Sequence, residues 1–125
     1  MKKGVFLTLL ILLVFSLQPF LVQAGPVEWR EVAATVEGQQ WWDVGSLHLN
    51  REGRRIVLSR FMPAAVNGEA PQLGSLFVME IDCEQRLFRD TSVNGVPRFF
   101  ARWKLDGGDQ LISDVIDDVC SIDLI

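Results

Sequence analysis

One histidine, two cysteines and a run of aspartates near the end are the residues with which this 125-residue chain could do chemistry. His48 sits between Leu47 and Leu49, and no serine or free thiol is placed to be its partner. A rim or surface histidine is therefore a plainer reading than a general base. Asp43 and Ser46 offer a carboxylate and a hydroxyl close together. Such residues commonly bond the local backbone, here at a strand entry. Asp106, Asp109, Asp114, Asp117 and Asp118 suggest a calcium site, but they lack the alternate-position ligand spacing of a calcium-binding loop. No catalytic residue, metal site or cofactor is expected.

Binding residues are easier to nominate. Trp41, Trp42, Arg86 and Arg89 are of the types that anchor interfaces. Each has a structural alternative. Arg86 and Arg89 follow Glu80 and Asp82 and precede the acidic end, so ion pairing accounts for them as well. Trp41, Trp42 and Trp103 form either an exposed aromatic patch or part of the core.

The element that must position these groups is Gly74–Cys83, GSLFVMEIDC. Side chains alternate faces along a strand, so Phe77, Met79, Ile81 and Cys83 share an apolar side. Leu76, Val78, Glu80 and Asp82 share the other, which begins apolar and ends acidic. After Asp106-Gly107-Gly108, Asp109 is a suitable helix N-cap. Leu111, Ile112, Val115, Ile116, Val119 and Cys120 then make one helical stripe. A bond from Cys83 to Cys120 would place that helix on the Phe77/Met79/Ile81 side, because a disulfide holds its Cα atoms within about 7 Å.

The N-terminus supplies the compartment. Lys2 and Lys3 precede an apolar run from Val5 to Leu17, and Val22-Gln23-Ala24 reads as a cleavage site. Residues 1–24 are expected to be a secretory signal peptide and 25–125 one domain. An uncleaved anchor is the alternative, although Ser16, Gln18 and Pro19 interrupt the run near the length needed to span a bilayer. No stable membrane span is expected after cleavage, and the destination is the periplasm, the cell surface or the medium. Two cysteines in an exported chain most often pair, with a free reactive thiol as the minor alternative.

The full chain carries a formal charge of −4. Gly25–Leu105 is balanced at ten acidic and ten basic residues, whereas six aspartates and no Lys or Arg follow from Asp106 onward. Nucleic-acid binding is disfavoured, since it needs a basic face.

Other strands are expected over Val27–Val36, Trp41–Leu49, Arg54–Met62 and Arg98–Leu105. Asn50–Gly53 and Asn94-Gly95 supply turns, and the loop before the central strand contains Asn67-Gly68 and Pro71. Glu84–Thr91 either continues the central strand or returns after a bulge. Short strands joined by short loops predict an α+β fold, an antiparallel sheet with the C-terminal helix on one face.

Several of these residues together resemble the surface-adhesin protein E family of small exported bacterial proteins. They are Trp29 with Val32, Asp43-x-x-Ser46-Leu47, Gly53, Gly74-Ser75, Glu80-x-Asp82-Cys83, Arg86, Arg89, Trp103 and Val119-Cys120. The resemblance covers nearly all of residues 25–125. It implies about six antiparallel strands, the helix tied by Cys83–Cys120, a non-enzymatic binding role and a homodimer. The chain differs in having no tyrosine and no cysteine near the cleavage site.

Two functions follow as expectations. One is an exported interaction domain that binds another envelope or extracellular protein through a sheet face or an edge strand. The other is a periplasmic small-ligand or lipid-binding domain, with a pocket between helix and sheet lined by Phe77 and Phe99. A hydrolase is a distant third, requiring His48 or a carboxylate with a perturbed pKa in a cleft.

Overall fold

A computed structural model describes residues 25–70 and 72–124. The signal-peptide reading and Pro71 lie outside the described residues. The order of elements is β1 (Trp29–Glu31), β2 (Gly38–Asp43), a 3-10 turn (Val44–Ser46), β3 (His48–Leu49), β4 (Arg55–Pro63), β5 (Ser75–Asp82), β6 (Leu87–Val93), β7 (Val96–Pro97) and α1 (Gln110–Ser121). The sheet runs β1-β2-β4-β5-β6-β7, with β3 also paired to β4, and every pairing is antiparallel.

The expected central strand lies in the middle of this order, between β4 and β6. Its apolar side faces α1. Val57, Met79, Ile81, Trp42 and Phe88 from the sheet pack with Leu111, Val115, Ile116 and Val119 from the helix, all of them buried. Burial of those four helix side chains contributes roughly 1.5–3 kcal/mol each before entropy is set against it. Asp109 caps the helix, its carboxylate accepting from the amides of Leu111 at 3.0 Å and Ile112 at 3.2 Å. At the other end Arg55, on the same sheet face, donates to the carbonyls of Val119 and Ile122. A cation here satisfies orphan carbonyls and complements the helix dipole, which offsets the unfavourable placing of Asp117 and Asp118. Cys83 and Cys120 are bonded, with Cα atoms 5.7 Å apart.

One open reading is resolved and three expected elements are corrected. Glu84–Thr91 does not continue the central strand: a turn from Cys83 to Arg86 reverses the chain into β6. Val27–Val36 is a strand only over Trp29–Glu31. Trp41–Leu49 is broken by the 3-10 turn, because Asp43 accepts from the Gly45 amide at 3.0 Å and bends the chain. Gly45 is obligatory there, since a Cβ would stand 2.2 Å from the Pro26 carbonyl oxygen.

Arg98–Leu105 is not a strand. The outer edge of β6 takes the Arg98 amide at the Thr91 carbonyl and pairs Lys104 with Phe88. Two residues separate Thr91 from Phe88, but five separate Arg98 from Lys104. The surplus cannot stay in a ladder and loops outward.

Candidate functional site

Strand alternation and register sort the nominated side chains onto different faces. Trp42 lies on the helix side and is fully buried, its indole nitrogen donating to Asp118 at 3.2 Å. The Arg30 guanidinium lies over its ring, 5.1 Å from the centroid. Arg86 projects from the β5–β6 turn toward the helix and pairs with Asp117 at 2.7 Å.

Arg89 lies on the opposite face. It pairs with Glu80, which is only 5% exposed and also accepts from the Asn50 amide at 2.7 Å. Trp103 closes over this buried carboxylate, clamped between the guanidinium groups of Arg54 at 4.7 Å and Arg89 at 4.3 Å. The acidic end of the central strand is therefore covered at Glu80.

Trp41 also lies on that opposite face, at its other end. Cross-strand partners there run in one row over four strands: Glu31, Trp41, Arg60 and Leu76. Arg60 stacks on Trp41 at 5.2 Å from the ring centroid. Leu76 is 39% exposed and Leu58 and Val78 are half-buried in the neighbouring row. Thus Trp41, Trp42, Arg86 and Arg89 do not form one patch. Trp41 instead shares an open apolar surface with Arg60 and Leu76, two residues that sequence reasoning did not select. Alternation had paired neither with Trp41, because their alignment depends on the registers of β2, β4 and β5.

His48 is exposed, and its Nδ1 lies 2.8 Å from the Ser46 carbonyl oxygen. The local roles expected of Asp43 and Ser46 are present. Asp43 accepts from the Glu28 and Gly45 amides, while the Ser46 hydroxyl donates to the Asp43 carbonyl at 2.8 Å.

A cavity of about 130 Å³ opens between helix and sheet, lined by Gln40, Phe61, Phe77, Met79, Asp90 and Ile112 among others. Phe77 is in its wall as expected. Phe99 is not: it is 86% exposed on the outward loop. Burial pushes the Asp90 carboxyl above its ordinary range, against the opposing pull of Lys104 and Arg98. Among the described residues, no group of three or more His, Cys, Asp or Glu side chains could hold a metal ion. No helix of the described residues is long and apolar enough to cross a membrane.

The family model described as the surface adhesin-E family matches residues 30–124. No curated protein and no solved structure matches the chain significantly. The matched span takes in the whole sheet from β2 to β7, both cysteines and the capped helix. The chain belongs to the surface adhesin-E family.

Proposed function

We propose that the chain is an exported, non-enzymatic binding domain of adhesin type, engaging another envelope or extracellular protein over the sheet face opposite the helix. The observation that carries this reading is the row Glu31–Trp41–Arg60–Leu76. It sets a tryptophan, an arginine stacked on it and a half-exposed leucine on a continuous, hydrogen-bonded floor. Tryptophan and arginine dominate the energetics of protein interfaces, and a rigid floor lowers the ordering cost of association. Trp42, Arg86 and Arg89 lie behind or beside that row and hold the sheet and helix in place. The family's adhesin character supports a macromolecular partner.

The second reading is a small-ligand or lipid-binding domain, for which the cavity beside Phe77 and Gln40 is the specific observation. Its volume of about 130 Å³ is well below the roughly 300–1,000 Å³ usual for small-molecule sites. The interaction reading is therefore preferred. Purification of the exported chain and its Trp41→Ala/Arg60→Ala variant after crosslinking in cells separates the two. A specific envelope or extracellular protein lost in the variant supports the first. A co-purifying small molecule retained in both supports the second.

A further inference from the structure

The loop between β7 and Lys104 carries a feature that neither packing nor turn chemistry explains. Phe99 and Phe100 are 86% and 96% exposed. They are the two central residues of a turn in which the Ala101 amide donates to the Arg98 carbonyl at 3.4 Å. Such positions favour Gly, Pro, Asn or Asp for their backbone preferences, so two phenylalanines gain nothing there locally.

The turn is not a loose end. The Arg98 amide is held by Thr91 at 2.8 Å, and Lys104 is bonded to Phe88 in both directions, at 2.9 and 2.8 Å. Trp103 is clamped between two guanidinium groups, and Arg89 also donates to the Ala101 carbonyl at 3.4 Å. The aromatic tip is thus presented on a pre-ordered support. Arg98, Arg102 and Lys104 flank it, and residues 98–105 contain no acid. Two carboxylates lie beneath the loop: Asp90, in the hollow it shares with Arg98, Arg102 and Lys104, and Glu80, which is buried and paired with Arg89 under Trp103.

We infer that the Arg98–Lys104 loop is a peripheral membrane contact, placing Phe99 and Phe100 in the interface of an anionic bilayer while Arg98, Arg102 and Lys104 meet its phosphates. Charge complementarity selects this occupant: cations stand on both sides of the aromatic pair. Neither an apolar tip nor a small basic patch holds a protein to a bilayer alone, but the two together do. Aromatic rings also favour the headgroup level of a bilayer. This surface is separate from the Trp41/Arg60 face, so the two proposals stand or fall independently.

Flotation of the purified exported chain with vesicles tests the assignment. Vesicles of phosphatidylcholine alone are compared with vesicles in which part of it is replaced by phosphatidylglycerol. Binding to the anionic vesicles at least about tenfold tighter, and weakened by salt, is expected. Phe99→Ser/Phe100→Ser should lower it by about tenfold or more, and Arg98→Gln/Arg102→Gln should remove the preference for anionic lipid. Circular dichroism and the intact disulfide confirm that each variant is folded. Absence of flotation with either vesicle, or flotation unchanged by the phenylalanine substitutions, overturns the assignment. So does a result in which those substitutions abolish crosslinking to a protein but vesicles are not bound.

Discussion

The indole nitrogen of Trp42 and the carboxylate of Asp118 meet at 3.2 Å across the interface between sheet and helix. One partner is fully buried in β2 and the other lies in the last turns of α1. With the bonds from Arg55 to the Val119 and Ile122 carbonyls, this polar link fixes the rotation of the helix while burial of apolar side chains supplies the attraction. Trp42→Phe keeps most of the ring and deletes the donor. A loss of about 1–2 kcal/mol is expected, read as a lower urea midpoint at unchanged m-value.

The disulfide closes a loop of sequence separation 37. In the loop-entropy model it stabilises the fold by about 3–4 kcal/mol. Replacing both Cys83 and Cys120 by serine should lower the melting temperature by well over 10 °C in a domain of roughly this size. Calorimetry with and without reductant on the native chain checks the same quantity.

Arg86 and Arg89 are expected to behave differently despite their closeness in sequence. Removing Arg89 leaves the buried Glu80 carboxylate short of its charged partner and releases one side of the Trp103 clamp. Arg89→Ala should cost about 2–4 kcal/mol, at the lower end if water reaches the carboxylate. Arg86 pairs with Asp117 in solvent, so Arg86→Ala should change stability by less than about 1 kcal/mol. Denaturant titrations of the two variants make the comparison.

Asp90 gives a pH dependence with a definite sign. Its carboxyl is raised in the folded state, chiefly by burial, so the folded chain binds its proton more tightly than the unfolded one. Its contribution to stability therefore falls as pH rises from the ordinary aspartate range through the raised value. Asp90→Asn should raise the melting temperature at neutral pH, and the difference should vanish below the ordinary aspartate range. A melting series against pH for both chains is the check.

Much of the framework was legible because its signals are local. The alternation Phe77/Met79/Ile81, the stripe Leu111 to Cys120 and the Asp109 cap each state a face or an end without reference to the rest of the chain. What was missed depends on distant partners. The break after Asp43 is set by contacts with Pro26 and Glu28, and the burial of Glu80 by Asn50, Arg89 and Trp103. RFFARWK reads as a strand until the edge of β6 is known to leave it too much chain. The joining of Trp41 with Arg60 and Leu76 likewise needs two registers at once, β2 against β4 and β4 against β5.

The most direct measurement is photo-crosslinking in cells from a reactive side chain placed at position 39, which is exposed in β2 on the Trp41 side of the sheet, with position 114 on the helix as the control. The account predicts one discrete envelope or extracellular protein captured from position 39, absent from position 114 and lost when Trp41 is replaced by alanine. Equal capture from both positions, or capture indifferent to Trp41, would contradict binding over the open sheet face.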